Sequence, residues 1–447
     1  MKNVLKKEEN IFLVIALFFG VVLSIVQPVF LKQDSQFHFD SISYMNDTVL
    51  DRLKVDNSTK TYGNENELIA IQNGTYFQNY YIQKLRHVDK EQSLTPISRM
   101  GITKNYFKQI PYTFSRMGMY LGFKLYPSLG VMTLLGRLMN LIFYVGVVFF
   151  VIKKVKAYKL FFLFLGLLPS FLIQACSLSY DSFSLLVAIV SIALWINILL
   201  ADLTAFKTKV RCGFLLFGLS LVTYLSAKNN VQLLIAGNLL VFLVLATRIK
   251  AFLNRMKFQI LLTTVIIICG SLLALTVTGT KGPLLILGTV KFFNDLFFKS
   301  NPLYTTDLFS GIPMPIWLLF IEVIIFGVIL LQKNQLELPK IKMVYPLLVG
   351  LFIANFIVMY YHYAFLAGDG KDVDGFSLIE QNVTISARYV FPFLPVVIFS
   401  RQLTKVRIAI NSAKLRNIIA IMSVIMLLLV SAKMIWFLYG FGVDYYA

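Results

Sequence analysis

The sequence has few charged residues, few cysteines and few histidines, and each scarcity excludes a class of protein. Only 14% of its 447 residues are charged, about half the share of a typical soluble domain. The three cysteines lie in or beside apolar runs, at spacings that suit neither a metal site nor a disulfide framework. The three histidines are too scattered for a metal cluster. A soluble domain, a disulfide scaffold and a Cys/His metal centre are therefore excluded.

Apolar residues, by contrast, are abundant and gathered in long runs. Hydrophobic residues make up 57% of the chain, and the mean hydropathy is +0.73. Runs long enough to cross a bilayer as helices recur along the sequence. The sequence therefore predicts an all-α polytopic membrane protein.

The positive charge is concentrated in short segments between alternate apolar runs. The formal net charge is +20. Basic segments that alternate along a membrane protein follow the positive-inside rule, and they can hold anionic lipid headgroups. We therefore expect membrane lipids, and no nucleic acid, as partners. The basic segments span residues 2–7, 153–159, 207–211, 248–257, 333–342 and 401–416.

The apolar runs and the basic segments together predict a topology of eleven spans, with the N-terminus inside and the C-terminus outside. Residues 1–447 form one membrane domain in this prediction. Its large first external loop, 31–128, contains interfacial helices near 34–55 and 110–126, and further external loops cover 279–313 and 368–387. The predicted spans are 11–30, 129–152, 160–175, 182–200, 212–227, 231–247, 258–277, 316–331, 343–366, 388–400 and 417–439.

In this topology, acidic and basic residues collect near the outer ends of five spans. Ionisable groups at the membrane edge usually face a bundle interior or a water-filled cavity, where they pair with one another. Such a set predicts one polar cavity that opens outward. In the alternative interpretation, each is a helix-end side chain that reaches to water. The residues are Asp34, His38, Asp40, Arg137, Asp181, Lys228 and Arg388.

The chemistry of this set suits a negatively charged, lipid-linked substrate. Arginine holds phosphate through bidentate hydrogen bonds, and lysine holds it as a point charge. A nearby carboxylate can take a proton from an attacking hydroxyl, and a large aromatic loop can carry a sugar chain. Transfer of a sugar from a polyprenyl phosphate requires these three parts.

Four motifs resemble those of a bacterial membrane family, domain of unknown function 2142. They occur in the family's order and span most of the chain. The family is grouped with the GT-C glycosyltransferases, which use polyprenyl-phosphate sugar donors, carry a catalytic acid in a large first external loop and typically invert the anomeric centre. The motifs are Asp34-Ser-Gln-Phe-His38, Leu168-Pro-Ser-Phe-Leu-Ile-Gln-Ala-Cys-Ser-Leu-Ser-Tyr-Asp181, Ala227-Lys228 and Ser386-Ala-Arg-Tyr-Val-Phe-Pro-Phe-Leu-Pro395.

The resemblance implies a role for each matching residue. Asp34 is the candidate general base, His38 orients it or contacts substrate, and Asp181 is a second carboxylate. Ser35 stands where the family has Glu, and Ala387 where it has Gly. The first departure leaves Asp34 acting alone, or marks a branch with a changed substrate or no activity. No dense acidic ligand set accompanies the motifs, so a metal-independent reaction without a cofactor is favoured over one with a divalent metal. The predicted phosphate- and substrate-binding residues are Lys228, Arg388, Tyr389, Arg137 and Asp40.

The sequence thus predicts an outward-facing glycosyltransferase in a bacterial plasma membrane. It would transfer a sugar from a polyprenyl-phosphate donor to an envelope polysaccharide or a lipid-linked glycan. Two alternatives stay open. A transporter or flippase for a lipid-linked glycan would share the cationic cavity, although the sequence has no inverted repeat. A non-catalytic partner of a polysaccharide synthase would use only the external loop.

Overall fold

The computed structural model describes residues 7–30, 35–47, 64–84, 106–202, 206–245, 304–305, 312, 314–333, 336–339, 344–361 and 387–439. Within these residues the chain is almost entirely helical, and its sheet consists of two antiparallel dipeptides, β1 (Tyr304–Thr305) and β2 (Met314–Pro315). The α-helices are α1 (Glu8–Val26), α2 (Ser35–Asp47), α3 (Asn64–Gln72), α4 (Tyr106–Gln109), α5 (Thr113–Leu125), α6 (Leu129–Lys154), α7 (Lys159–Gly166), α8 (Pro169–Ala175), α9 (Asp181–Leu199), α10 (Phe206–Ser226), α11 (Leu234–Leu245), α12 (Ile316–Leu331), α13 (Val344–Tyr361) and α14 (Ser412–Leu438).

Helices of other pitch connect these elements. A π-helix covers Gln78–Ile82, and 3₁₀ helices cover Ile110–Tyr112, Asn229–Leu233, Ala387–Tyr389 and Phe391–Leu403. The last of these is unusually long for a 3₁₀ helix. Its second residue is Pro392, and it also contains Pro395. Proline has no backbone N–H, so it cannot donate the α-helical hydrogen bond.

The described part of the chain is an all-α membrane protein. The helices α1, α6, α9, α10 and α14 are long and apolar enough to cross a bilayer, and they coincide with five predicted spans. Shorter apolar segments lie on four more, at Asn229–Leu245, Trp317–Leu331, Val344–Asn355 and Phe391–Leu403. The predicted span at 258–277 lies outside the described residues. The number eleven and the orientation stay predictions.

The predicted span at 160–175 differs from expectation, because it consists of two short helices. Helix α7 ends at Gly166, and Pro169 begins α8. Proline is well placed at the first position of a helix and breaks one that precedes it. At 1.5 Å per residue, the eight residues of α7 and the seven of α8 measure only about 12 Å and about 11 Å. This break brings the turn after α8 close to the functional cluster described below.

Helix α6 is the centre of the first half of the bundle. It packs against α1, α5 and α9, and α1 also contacts α14. In the second half, α13 packs along the 3₁₀ helix Phe391–Leu403. A buried polar chain joins three helices: Trp195 Nε1 on α9 donates to Asn238 Oδ1 on α11 (2.7 Å), and Asn238 Nδ2 donates to Ser220 Oγ on α10 (2.8 Å). Buried polar groups are normally paired in this way.

The amphipathic segments predicted in the first external loop are helical. Helices α2 and α5 lie at 35–47 and 113–125, within the predicted 34–55 and 110–126. Helix α5 buries Ser115, Gly118, Met119 and Gly122, at the spacing of one helix face. Its location at a membrane interface stays a prediction.

Glycine allows α5 to approach α6 closely. A Cβ on Gly118 would overlap the backbone oxygen of Leu135, and one on Gly122 would lie 2.7 Å from the Cα of Met132. Small residues four apart permit such backbone contact between membrane helices. Because Tyr112 directly precedes α5, this contact also fixes the position of that tyrosine.

We expect Gly118→Ala to destabilise the protein. The added methyl group meets backbone, which cannot rotate away, and overpacking of this kind typically costs about 1–3 kcal/mol. The measurement is the thermal unfolding midpoint of the purified protein in detergent. Gly146→Ala on α6 is the matched control, since among the described residues no heavy atom outside its own stretch of helix lies within 4 Å of the added Cβ. Equal midpoints for the two variants would mean that α5 does not pack on α6 at Gly118.

Candidate functional site

Asp181 begins α9, and the short turn before it is built from serines. The Ser177 hydroxyl donates to the Gln174 carbonyl (2.7 Å) and accepts the N–H of Ser179 (3.2 Å). The Ser179 hydroxyl accepts the N–H of Asp181 (3.1 Å). Serine hydroxyls that bond backbone groups nearby in the chain stabilise turns. The turn therefore fixes the start of α9, and with it the Asp181 carboxylate.

The Asp181 carboxylate lies between two cations, Lys228 and Arg388, and we call these three residues the ion cluster. Oδ1 accepts a hydrogen bond from Lys228 Nζ at 2.8 Å, and Oδ2 lies 3.8 Å from Arg388 Nη1. The side chains of Asp181, Lys228 and Arg388 are only 6%, 10% and 14% exposed. Among the described residues, none donates a hydrogen bond to Oδ2. The described part of the site thus combines one carboxylate with two cations, and cations attract anionic groups.

Aromatic rings support both cations. The Lys228 N–H donates to Ser184 Oγ on α9 (3.2 Å), which attaches the turn after α10 to that helix. Lys228 Nζ lies 3.6 Å from the centre of the Tyr389 ring and 5.3 Å from that of Tyr180. Arg388 Cζ lies 5.3 Å from the Tyr389 ring centre. Such cation–π contacts stabilise a desolvated cation without neutralising its charge.

Two asparagines that the sequence analysis missed hold the Arg388–Tyr389 segment. The Tyr389 carbonyl accepts hydrogen bonds from Asn230 Nδ2 (3.0 Å) and Asn355 Nδ2 (3.2 Å). Asn230 Nδ2 also lies 3.0 Å from Asn355 Oδ1. The available signal was Asn355 itself, an amide within an otherwise apolar run.

His38 joins the site through two tyrosines. Its Nδ1 lies 2.7 Å from the Tyr112 hydroxyl, and its ring centre lies 5.2 Å from that of Tyr180. Tyr180 directly precedes Asp181 in the chain, so His38 on α2 faces the start of α9. His38 itself is buried, with 3% of its surface exposed. Neither tyrosine was among the predicted site residues.

Residues 106–112, which belong to the predicted first external loop, border the site. This segment ends with Tyr112, and Lys108 Nζ donates to the Ala227 carbonyl (3.3 Å) and to Asn229 Oδ1 (3.4 Å), on either side of Lys228. Partial burial lowers the pKa of the Lys108 ammonium group. The segment thereby contacts both the His38 side and the Lys228 side.

Arg137 has different partners from those predicted for a phosphate-binding residue. Its Nη1 and Nη2 donate to backbone carbonyls at the end of α1, including those of Gln27 (2.6 Å) and Pro28 (2.5 Å). Cations stabilise the carboxyl end of a helix, where carbonyls lack partners within the helix. Arg137 therefore serves the structure of α1.

Two predicted residues remain without a described side chain. Asp34 lies outside the described residues. Asp40 lies on α2, but its side chain is also outside what the structure describes. Their predicted roles stay predictions.

The structure thus brings together five predicted residues, from four separate elements. The site is a largely buried cluster of one carboxylate and two cations beside aromatic rings. Among the described residues, no three His, Cys, Asp or Glu side chains are grouped to hold a metal ion. The five residues are His38, Asp181, Lys228, Arg388 and Tyr389.

Comparison with known families adds one finding. A family model described as "Predicted membrane protein (DUF2142)" matches residues 17–397. The matched region includes every residue of the ion cluster. Neither a curated protein nor a solved structure matches the chain.

We expect Asp181→Asn to lower the stability of the protein. Removing one partner of a buried ion pair leaves the other charge uncompensated and typically costs about 3–5 kcal/mol. The measurement is the thermal unfolding midpoint in detergent.

Glu337→Gln is the control for this prediction. The Glu337 side chain is 61% exposed, and its Oε1 lies 3.9 Å from Arg407 Nε. Exposed ion pairs contribute only about 0–1 kcal/mol, so the midpoint should hardly change. If Asp181→Asn unfolds at the same temperature as this control, the ion cluster does not stabilise the fold.

Proposed function

The chain belongs to the DUF2142 family of predicted membrane proteins, and on that premise we propose that it is a membrane glycosyltransferase of the GT-C type. It transfers a sugar from a polyprenyl-phosphate donor to an envelope polysaccharide or a lipid-linked glycan, with inversion of the anomeric centre. The reaction takes place at the outer face of a bacterial plasma membrane.

One observation carries the proposal: two cations from distant parts of the chain, Lys228 and Arg388, lie beside one carboxylate in a site with little access to water. Both cations are of the kind that binds a donor phosphate. The planar guanidinium of Arg388 can bind two phosphate oxygens, while the ammonium of Lys228 acts as a point charge. Asp181 orients both cations, because it bonds Lys228 directly and lies beside Arg388.

The reaction is a direct displacement. The acceptor hydroxyl oxygen forms a bond to the anomeric carbon while the bond from that carbon to the phosphate oxygen breaks. The electron pair leaves with the polyprenyl phosphate, and its negative charge is stabilised by Lys228 and Arg388. The hydroxyl proton passes to the Asp34 carboxylate. No metal ion is required for these steps.

His38 and the tyrosines assist the acceptor side of the reaction. His38 follows Asp34 by four residues in the chain and lies against Tyr112 and Tyr180. It orients the base or contacts the acceptor. The aromatic rings beside it supply flat apolar surfaces of the kind that sugars stack against.

We expect an Asp34→Asn variant to lose activity in cells. General base catalysis typically contributes about 10²–10⁴-fold, so the variant should not restore an envelope sugar that is missing after deletion of the gene. The measurement is the sugar composition of envelope polysaccharide in the deletion strain. Wild type, Asp34→Asn and Asp202→Asn are supplied at matched expression.

Asp202→Asn is the control because Asp202 lies just beyond the opposite end of α9 from Asp181. A helix of 19 residues separates its two ends by about 28 Å. The control should restore the sugar as wild type does. Full restoration by Asp34→Asn would exclude this base and favour a transporter of lipid-linked glycan or a non-catalytic partner of a synthase.

We expect Arg388→Lys to weaken the binding of undecaprenyl phosphate. Lysine keeps the charge but loses the bidentate geometry, and one hydrogen bond to a charged group contributes about 1.5–3 kcal/mol. The Kd measured with purified protein in detergent should rise about tenfold or more. Arg416→Lys, at the start of α14, is the control and should leave the Kd unchanged. Equal Kd values for both variants would contradict phosphate binding by Arg388.

A further inference from the structure

The chain turns sharply where α1 ends, and this turn leaves backbone groups without helical partners. Helix α1 ends at Val26, and Pro28 follows two residues later. Proline cannot continue a helix, and the last carbonyls of any helix lack partners within it. Buried backbone groups require other partners. Residues 24–30 therefore depend on contacts from elsewhere in the chain.

Arg137 supplies the donors for this turn. Its Nη1 donates to the carbonyls of Gln27 (2.6 Å) and Ser24 (3.3 Å), and its Nη2 donates to those of Pro28 (2.5 Å) and Val29 (3.5 Å). Arg137 is 2% exposed. Its charge is thus spread over the carbonyls of one short segment.

Glu67 supplies the acceptors. Its Oε1 accepts the N–H of Val29 (2.5 Å), and its Oε2 accepts the N–H of Phe30 (2.7 Å). Glu67 lies on α3 and is fully buried. Both carboxylate oxygens therefore bond consecutive amides of the segment whose carbonyls bond Arg137.

We call this arrangement the exit clamp (Glu67 and Arg137 on residues 24–30). It is connected to the functional site through aromatic packing. The Phe30 ring lies edge-on to Phe39 of α2, with ring centres 5.5 Å apart. Phe39 directly follows His38 in the chain, so the position of Phe30 and the position of His38 are linked.

We propose that Glu67 is a positioning residue of the functional site. Together with Arg137, it fixes the exit of α1 and, through the contact between Phe30 and Phe39, the position of His38 beside Tyr180. This inference rests on the proposed function for the role of His38. The clamp itself is a property of the fold and can be tested separately.

A carboxylate only accepts hydrogen bonds and a guanidinium only donates them, so the exit clamp selects one orientation of the turn. A carboxylate accepts two amide hydrogens at once, whereas a glutamine side chain offers one oxygen and two further donors. Glu67→Gln therefore keeps the size of the side chain but places an N–H group against a backbone N–H. A buried apolar pair of similar volume could fill the same space, but it would not select one orientation of the turn.

The first test measures hydrogen–deuterium exchange of the purified full-length protein. Glu67→Gln should raise exchange about tenfold or more in peptides that cover Val29–Phe30 and the start of α2, and leave α9 unchanged. Glu65→Gln, the same change two positions earlier on α3, is the matched control and should leave all three regions unchanged. Unchanged exchange in α2 with Glu67→Gln would overturn the positioning role, even if the turn itself loosened.

The second test separates positioning from overall structure. Glu67→Gln should lose restoration of the envelope sugar in the deletion strain while its Kd for undecaprenyl phosphate stays within about twofold of wild type. Glu67→Asp, which keeps both carboxylate oxygens, should recover part of the exchange protection and part of the sugar. Parallel loss of phosphate binding, sugar and unfolding midpoint would indicate a merely structural role.

The two tests also distinguish this inference from the proposed function. If wild type itself restores no sugar and binds no undecaprenyl phosphate, the proposed function fails. The exchange result then still decides whether Glu67 orders the exit of α1 and the start of α2.

Discussion

The described site depends on one buried carboxylate between two cations. Asp181, Lys228 and Arg388 belong to three elements that are distant in sequence: the start of α9, the turn after α10 and the segment before the long 3₁₀ helix. Charges with so little access to water are costly unless they are paired, so these elements must meet at one place. The serine turn holds the start of α9, and the Tyr389 ring holds Lys228. The Asn230–Asn355 pair holds the segment that carries Arg388.

Irregular backbone occurs at the same places as the site. Pro169 divides one apolar run into α7 and α8, and Pro392 and Pro395 lie in the helix that follows Arg388. In a membrane, non-helical backbone is tolerated only where protein or a water-filled cavity supplies its hydrogen bonds. The side chains of Ser177, Ser179 and the two asparagines supply such bonds here. At these breaks, backbone groups that lack helical partners form hydrogen bonds with side chains around the site.

Much of this arrangement could be predicted from hydropathy and charge, because the apolar and the charged residues of a membrane protein lie at different depths in the bilayer. The apolar runs located most helices, and the alternation of basic segments placed Asp181, Lys228 and Arg388 at one depth. Neither hydropathy nor the alternation of charge reports how a helix is rotated about its axis, or which helices lie next to it. Asn230, Asn355, Tyr112 and Tyr180 were therefore missed, since uncharged side chains are not costly enough to stand out. Pro169 was visible, but the apolar run around it concealed the break into two helices.

Arg137 shows why depth alone cannot assign a role to a buried arginine. Its guanidinium lies at the carboxyl end of α1, and that of Arg401 lies at the end of α12, where Nη1 donates to the carbonyls of Leu330 (2.8 Å) and Gln332 (2.5 Å). Helix ends of this kind carry partial negative charge and unpaired carbonyls, so they satisfy a cation.

Arg388 differs, because it lies beside the Asp181 carboxylate, which also bonds Lys228. An arginine at a helix end bonds to backbone carbonyls of the fold, whereas Arg388 lies in a polar cluster with a lysine and the rings of Tyr180 and Tyr389. Ionisable groups that gather at low exposure in a membrane protein often mark a functional site. The same residue type thus has a structural role at a helix end, whereas a binding role is what we propose for Arg388, and the partners around each guanidinium distinguish the two.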